Sequence, residues 1–411
     1  MRGSRLPAGG ENVLQTIRGK RAAAEASGIK LIDLSIGEPK GPALLSAREA
    51  AAVAVMSEDE AMHTYQYNAS PGVPNFAQRF VQVHVKRDFQ EGDVDYLTMP
   101  GIKPMLGLVP LACGCADQNL SVATTTSPGY PIPADWCGYH PYATNYAISL
   151  SPGNEFRFTP DQIEEGTGLV MMNYPHNPSG QVATESWLRQ ICEYCSENDI
   201  RLFNDAAYII LSHGPDSLCL ADVAPDYPDL SWLEAFTAAK LIGNGTGWHV
   251  GAMVGSPDFV GDFKEVKGKT DTGFVAPMAA GVVAAFEGDR ESIDLVREMY
   301  RSRLGLLAKI LTDRGMRLAL DPAAGFFTLW LAPDRAFGQK VESAEHFNFM
   351  MIEETGMVGV HFPPYVRYAV CADVAAMSDE IGAAFDKAQV GYDYPKPPAQ
   401  NVLLDKKRLP S

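Results

Sequence analysis

The sequence predicts an α/β protein with a mainly parallel sheet, because short apolar runs alternate with helical stretches. "GLVMMNY" ends in the turn "PHNPSG", a helical stretch covers residues 184–197, and "DIRLFNDAAY" is a second apolar run that ends on polar residues. This order indicates a βαβ unit. "SVATTTSPGY" likewise indicates a strand followed by a Pro/Gly turn. Ligands of such sheets bind at the carboxyl ends of the strands, so we expect reactive residues just after each apolar run.

Composition sets limits on the class of protein. The chain has 411 residues, 46% of them hydrophobic, and can bury a large core in two or more domains. The formal charge of −16 argues against nucleic acid or an anionic membrane surface as a partner. No apolar stretch of about 18 residues and no apolar signal-peptide core occur, so a cytoplasmic location without a membrane span is expected.

The seven cysteines are scattered and odd in number, which disfavours a disulfide framework. Cys113 and Cys115, together with Cys192 and Cys195, could imitate a four-thiolate zinc site. Helical spacing in "WLRQICEYCSENDI" instead places Cys192 and Cys195 on one apolar face. We therefore expect core cysteines and no metal.

Five residues with reactive or hydrogen-bonding side chains follow the predicted strands. Tyr130 follows "TTTSPG", Asn177 lies in "NYPHNPSG", Asp205 and Tyr208 lie in "FNDAAY", and Lys240 follows "LEAFTAA". Each has an ordinary explanation, such as a turn residue, a helix cap, an aromatic at the core edge or a solvated lysine. Their order along one α/β pattern favours a shared function over independent structural roles.

At these residues the sequence resembles the class I/II aminotransferases, fold-type I enzymes that use pyridoxal phosphate (PLP). The resemblance covers about residues 30 to 390, through "LSIGEP", "YNASPGVPNF", "SPGYPIP", "YPHNPSG", "NDAAY", "GFFTLW" and "PPYVRYAV". It implies amino-group transfer between an L-amino acid and a 2-oxo acid such as 2-oxoglutarate, in a homodimer with shared active sites. "NDAAY" and "GIK" further resemble the diaminopimelate aminotransferases, which suggests an elongated amino acid with a second polar end.

The resemblance assigns a role around the PLP ring to each of the five residues. Lys240 would form the Schiff base with PLP and then move a proton between Cα and C4′. Its apolar neighbours would keep the amine uncharged, and the glycines that follow would let the backbone approach the cofactor. Asp205 would keep the pyridine nitrogen protonated. Asn177 and Tyr208 would bond the ring hydroxyl, and Tyr130 would stack on the ring.

A second set of residues would bind the phosphate of PLP and the substrate. The phosphate would be held by Gly101, Ile102, Lys103, Thr237, His249 and, from the neighbouring subunit, Tyr67. Arg367 would take the substrate α-carboxylate as a bidentate pair, with Gly37 over the same carboxylate and Asn177 beside it. The ordinary explanation for Arg367 is a surface salt bridge.

Some positions depart from the family pattern. His249 stands where the family has a phosphate-binding arginine, the gap from the lysine is one residue longer, and Ala239 replaces a serine. The segment before Arg367 is also shorter than the usual loop of the family at that place. Whether His249 binds phosphate, or points into the core while Lys103 neutralises the phosphate, stays open. So does a different PLP reaction, such as elimination or oxidation. A catalytically silent PLP-fold binding protein is disfavoured by the intact reactive residues.

The resemblance also implies a division of the chain. Residues 1–29 would form an arm, and residues 51–289 a large PLP-binding domain with a seven-stranded sheet and helices on both faces. Residues 30–50 with 290–396 would form a smaller α+β domain. Residues 397–411 would be a proline-containing tail.

Overall fold

The computed structural model describes residues 13–394, so the predicted tail lies outside the described residues. Within that range the chain forms twelve α-helices and fifteen strands. The helices are α1 Val13–Ala26, α2 Leu45–Val55, α3 Phe76–Gln82, α4 Ile102–Met105, α5 Val109–Ala112, α6 Ile132–Cys137, α7 Glu185–Glu197, α8 Pro257–Lys267, α9 Ala276–Gly288, α10 Arg290–Thr312, α11 Ala344–Thr355 and α12 Ser378–Ala388. The strands are β1 Ile32–Asp33, β2 Asp95–Met99, β3 Leu120–Ser127, β4 Ala143–Ser149, β5 Thr167–Met172, β6 Arg201–Asp205, β7 Trp232–Thr237, β8 Gly251–Gly255, β9 Arg317–Leu318, β10 Phe327–Leu331, β11 Arg335–Ala336, β12 Gln339–Lys340, β13 Met357–Val358, β14 Val360–Phe362 and β15 Tyr365–Ala369.

The described chain divides into two compact units. The larger unit contains residues 39–176 and 182–297, and the smaller unit contains residues 13–38, 177–181 and 298–394. Helix α2 packs against α9, which explains why the segment before residue 51 groups with the larger unit. The short segment 177–181 groups with the smaller unit because the backbone oxygen of Gly180 accepts hydrogen bonds from Ala323 and Ala324.

The larger unit is built on a seven-stranded sheet with the order β2-β8-β7-β6-β5-β3-β4. Strand β8 runs antiparallel to both of its neighbours, and the pairs from β7 to β4 are parallel. The expected mainly parallel seven-stranded sheet is therefore confirmed. Strand β5, helix α7 and strand β6 form the predicted βαβ unit, and α7 begins within one residue of the predicted start.

Apolar side chains cover both faces of this sheet. On one face Phe259 and Phe263 of α8 join a buried cluster that includes Phe203 and Leu233. On the other face the ring of His84, just beyond α3, stacks on Phe236 with 4.8 Å between ring centres. Successive strand residues alternate between these faces.

Helix α7 buries the apolar side that its sequence spacing predicts. Leu188, Ile191, Cys192 and Cys195 are all fully buried there. Both cysteines are free thiols inside the core. The interpretation of this pair as core residues is therefore confirmed.

The smaller unit has an α+β architecture. Its antiparallel sheet has the order β14-β15-β10-β9, and β1 pairs in parallel with β13. Ile17 of α1 and Ile352 of α11 pack with Val358 and Val360 in a buried cluster. Across residues 13–394, no helix combines the length and the apolar character that crossing a membrane requires.

Candidate active site

The ends of four strands meet at one edge of the large sheet. Thr237, the last residue of β7, and Met99, the last residue of β2, both pair with Gly251 at the start of β8. Asp205, at the end of β6, pairs with Ala235. Because β8 is antiparallel, its amino end lies beside the carboxyl ends of its neighbours. The turn after β2, Thr237 and Asp205 are therefore brought to the same edge.

Asp205 is a buried carboxyl group, 5% exposed, at the end of β6. Its Oδ1 accepts a hydrogen bond of 3.1 Å from the backbone N–H of Ala207, which forms a local turn and not a helix cap. Burial raises the pKa of Asp205 to about 6, against the opposing effects of the Ala207 N–H and the charge of Lys240. A carboxyl group in this setting fits a ligand that brings positive charge, as the protonated pyridine nitrogen of PLP does.

Lys240 is a half-buried lysine in the turn after β7. Its neighbours Ala238 and Leu241 are fully buried, as the apolar flanks predict. The Nζ atom lies 5.7 Å from the centre of the Tyr208 ring, and its charge acts on Asp205. The larger unit therefore brings an amine, an aromatic ring and a buried carboxyl group together.

Tyr130 lies in the same neighbourhood. It is half-buried against the apolar cluster, and burial, followed by the charge of Asp205, raises the pKa of its hydroxyl group. The preceding residue, Gly129, approaches the backbone so closely that an added Cβ would lie 1.8 Å from the carbonyl oxygen of Thr125. Only glycine fits this turn, which orients Tyr130.

Two of the glycines after Lys240 are required by the packing of the loop. A Cβ on Gly245 would lie 2.7 Å from the carbonyl oxygen of Ala238, and one on Gly251 would lie 2.5 Å from that of Phe236. The carbonyl oxygen of Phe236 belongs to β7, and that of Ala238 belongs to the residue directly after β7. The packing of the loop against its own strand therefore requires glycine at both positions, and the approach of the backbone to the cofactor stays a prediction.

The turn after β2 brings His249 close to the predicted phosphate-binding residues. Gly101 has φ = 103°, which glycine adopts readily, and α4 begins at Ile102. The Nδ1 atom of His249 lies 3.3 Å from the carbonyl oxygen of Pro100. His249 is exposed, as is Lys103, so the interpretation of His249 as a core residue is wrong.

The remaining predicted phosphate ligands differ in exposure. Thr237 is buried, and its Oγ1 accepts a hydrogen bond of 3.1 Å from the backbone N–H of Ala239. Tyr67 is 49% exposed, and its ring centre lies 5.7 Å from that of Tyr65. A side chain this exposed is accessible to a second molecule.

In the smaller unit, Arg367 is held in a buried setting on β15, so the surface-salt-bridge explanation is wrong. Its Nη1 donates to Oδ1 of Asn177 over 2.9 Å, and its Nη2 donates to the backbone oxygen of Ser35 over 2.8 Å. The guanidinium carbon lies 4.3 Å from the centre of the Phe327 ring. A Cβ on Gly37 would lie 2.8 Å from the same ring, so no side chain fits there.

Asn173 is a residue of the site that the sequence analysis passed over. Its Nδ2 donates to the backbone oxygen of Asp205 over 2.7 Å, and its backbone N–H donates to Oγ1 of Thr125 over 3.1 Å. It thus connects the ends of three strands behind the buried carboxyl group. The signal was available, because Asn173 is a polar residue directly after an apolar run.

Comparisons with known proteins agree with this arrangement. The family model described as aminotransferase class I and II matches residues 29–380. The LL-diaminopimelate aminotransferase of Methanocaldococcus jannaschii is 26% identical over 370 residues, which cover 86% of this chain and 84% of the relative. That of Methanococcus maripaludis is 26% identical over 379 residues, 88% of each chain. The solved aspartate aminotransferase of Rhizobium meliloti superposes with a TM-score of 0.81 at 20% identity, over 94% of this chain and 99% of the other.

Proposed function

Since the chain belongs to the class I and II aminotransferase family and is a PLP-dependent enzyme that moves an amino group between an amino acid and a 2-oxo acid, we propose that Lys240, Asp205 and Arg367 carry this reaction. The observation that supports it best is the buried Asp205 at the end of β6, on which the charge of Lys240 acts. Asp205 can hold a proton on a ring nitrogen, and Lys240 has the amine that the chemistry requires.

The proposed roles around the PLP ring follow from the groups at the sheet edge. When bound, PLP supplies a ring that accepts the electron pair left behind when Cα loses its proton. Nζ of Lys240 would hold the cofactor and would also carry the Cα proton. Asp205 holds the proton of the pyridine nitrogen. Tyr130 stacks on the ring, and Tyr208 and Asn177 orient its hydroxyl group.

The proposed anion sites use the groups that lie at the strand ends and on β15. The phosphate of PLP is bound by Gly101, Ile102, Lys103, Thr237, His249 and Tyr67 of a second subunit. Arg367 binds the α-carboxylate through its planar guanidinium group, beside Asn177 and Gly37. The position of the guanidinium carbon over the Phe327 ring supports this role, because the contact helps to hold the group in place.

The proposed substrate is an elongated amino acid with a second polar end, such as LL-diaminopimelate. Two relatives that are 26% identical to this chain carry the name LL-diaminopimelate aminotransferase. The "NDAAY" and "GIK" segments support the same subgroup.

A donor screen tests the reaction and the substrate together. The purified enzyme with PLP and 2-oxoglutarate is offered LL-diaminopimelate, L-lysine, L-aspartate, L-alanine and L-phenylalanine, and glutamate, ammonia and pyruvate are measured. We expect glutamate in a one-to-one ratio to the consumed donor, formed fastest from LL-diaminopimelate. Ammonia without glutamate would favour the elimination alternative. Faster turnover of aspartate or phenylalanine would exclude the proposed substrate class and leave amino-group transfer intact.

Chemical labelling tests the assignment of Lys240. The holoenzyme should be yellow, and borohydride should attach the cofactor irreversibly to the peptide that contains Lys240. Lys240→Ala is the control and should give no label. A label on Lys264 or Lys269 in the wild-type protein would show that another lysine binds PLP.

The proposed setting is a cytoplasmic homodimer with shared active sites. All seven cysteines are free thiols, which suits a reducing compartment. The exposure of Tyr65 and Tyr67 supports contact with a second subunit. Sedimentation of the purified enzyme measures the oligomeric state directly.

A further inference from the structure

Behind the site, a polar pair lies in the middle of the large sheet. Glu234 of β7 is fully buried and pairs in register with Asn204 of β6. Nδ2 of Asn204 donates to Oε1 of Glu234 over 2.7 Å. The backbone N–H groups of Leu220 and Ala221 donate to Oε1 and Oε2 of Glu234 over 3.0 and 2.8 Å. One carboxyl group thus receives three donors from two separate segments.

Asn204 extends this connection to the end of β5. Its Oδ1 accepts a hydrogen bond of 2.9 Å from the backbone N–H of Tyr174, and its Nδ2 also donates to the Tyr174 carbonyl oxygen over 3.0 Å. Tyr174 is itself anchored by a bond from its hydroxyl group to the Phe156 carbonyl oxygen. Asn204 and Glu234, which we call the sheet clamp, therefore link β5, β6, β7 and the turn at residues 220–222.

The sheet clamp and the reactive groups lie on opposite faces of the same strands. Asn204 directly precedes Asp205, so the two side chains point to opposite sides of β6. Glu234 and Thr237 are three residues apart on β7 and also point to opposite sides. Lys240 follows three residues after Thr237. The clamp is therefore close to these groups along the chain, and its side chains lie on the other face of the sheet.

A carboxyl group is costly to bury at this position. Burial raises the pKa of Glu234 to about 7 although the Ala221, Asn204 and Leu220 donors all oppose the shift. The surroundings thus disfavour the charge of Glu234, and buried charged or polar networks are often no more stable than well-packed apolar residues. What the network does provide is fixed hydrogen-bond geometry between neighbouring strands.

We propose that Asn204 and Glu234 are positioning residues, which fix the ends of β6 and β7 so that Asp205 and Lys240 keep the spacing that cofactor binding requires. This inference rests on the proposed function, in which Asp205 and Lys240 hold PLP. A small displacement of such groups is sufficient to matter, because a misplacement of about 1 Å can reduce the rate about a hundredfold.

Three variants and one control test the role of the sheet clamp. Glu234→Leu and Asn204→Leu remove it, and Glu234→Gln keeps the shape and one acceptor. Val122→Ala on β3 is the control, because Val122 is fully buried in the same sheet and outside the clamp. For each protein we would measure the melting temperature, the PLP dissociation constant, kcat and KM, and the pH midpoint of the absorbance change of bound PLP.

The leucine variants should weaken PLP binding and reduce kcat by about tenfold to a hundredfold, with a smaller change in KM, and should move the absorbance midpoint. Glu234→Gln should have a PLP affinity, a kcat and an absorbance midpoint between those of the leucine variants and those of the wild type. Val122→Ala should lower the melting temperature and leave the absorbance midpoint unchanged. If the clamp variants lose stability but keep the wild-type midpoint, PLP affinity and kcat, the clamp is only structural and the inference is wrong.

Hydrogen exchange in the PLP-free protein separates this inference from the proposed function. Glu234→Leu should speed exchange at the amides of Leu220 and Ala221, and Val122→Ala should not. Unchanged exchange at both amides would show that no clamp exists, whatever the enzyme does. If wild-type protein shows the protection but does not bind PLP, the proposed function fails and the positioning role fails with it.

Discussion

His249 is the proposed phosphate ligand whose side chain type matters most for the charge offered to the phosphate. An imidazole loses its charge as the pH rises through the neutral range, whereas a guanidinium group keeps its charge and offers two parallel donors. In the structure His249 is exposed and lies against the backbone of Pro100, next to the turn at Gly101. The contact to phosphate is therefore expected to depend on pH in this enzyme.

Replacement of His249 by arginine should tighten PLP binding, most strongly at alkaline pH. One charge-assisted hydrogen bond contributes about 1.5–3 kcal/mol, so the gain in affinity should be about tenfold to a hundredfold at alkaline pH. PLP dissociation would be measured for both proteins from neutral to alkaline pH. Lys103→Ala serves as the comparison for the other candidate cation. If the PLP dissociation constants of the wild type and His249→Arg changed with pH in the same way, with no gain in affinity, His249 would not be a phosphate ligand.

Arg367 should determine how tightly the substrate carboxylate is bound. Arg367→Ala should raise KM for the amino acid, with a loss of binding of about 2–5 kcal/mol, the range for truncated buried charge pairs. Arg367→Lys should recover only part of this loss because it lacks the planar pair of donors. Arg335→Ala, which removes an exposed partner of Asp393, is the control and should leave KM unchanged. Unchanged kinetic parameters in Arg367→Ala would place the carboxylate site elsewhere.

The pairing of β6 with β7 buries an acid whose ionisation affects stability. The pKa of Glu234 rises from 4.5 to about 7, so between these values the folded protein retains a proton that the unfolded chain has lost. Its contribution is fully present below pH 4.5 and is lost as the pH rises toward 7. The shift corresponds to about 3 kcal/mol.

Glu234→Gln should remove this part of the pH dependence. The free energy of unfolding of PLP-free protein would be measured by denaturant titration between pH 4.5 and 7.5. The difference between wild type and variant should change by about 3 kcal/mol across that range, in the direction of lower wild-type stability at higher pH. Asp205 contributes to both proteins equally and cancels. If the difference in the free energy of unfolding did not change with pH, Glu234 would have the same pKa in the folded and the unfolded protein.

The sequence predicted individual elements where the local pattern was strong. Helix α7 has a clear apolar face, β5 is largely an apolar run, and β6 lies in a short apolar segment that ends on polar residues, so the sequence located all three closely. The sequence could not predict that Asn204 and Glu234 form a pair, because neither residue belongs to a recognisable motif with the other. Their contact depends on the register between two strands, which a single sequence does not contain.

For the whole molecule, the family resemblance predicted the seven-stranded sheet and a smaller α+β unit. It also named most of the side chains at the sheet edge. It did not predict that Asn173 supports Asp205 or that Gly245 and Gly251 serve the packing of their own loop. These features depend on distances between backbone atoms of separate segments, which motif matching does not report.

Subunit mixing tests whether the active sites are shared. Lys240→Ala lacks the attachment amine and Tyr67→Ala lacks the proposed phosphate contact from the second subunit, so each alone should be nearly inactive. A refolded equimolar mixture should recover up to about one quarter of wild-type activity, since half of the dimers are hybrids with one intact site. Wild type mixed with Lys240→Ala is the control for refolding. Hybrids confirmed by affinity tags but without recovered activity would show that Tyr67 acts within its own subunit.

The antiparallel direction of β8 has a consequence for how such enzymes diverge. The loop from Lys240 to Val250 leaves the sheet edge and returns to it, so both of its ends are fixed by the pairing of Thr237 with Gly251. A residue inserted or deleted within this loop therefore leaves the register of β7 and β8 unchanged. It does move the side chains that precede β8. A change in loop length would thus move His249 relative to the turn at Gly101 and leave the large sheet intact.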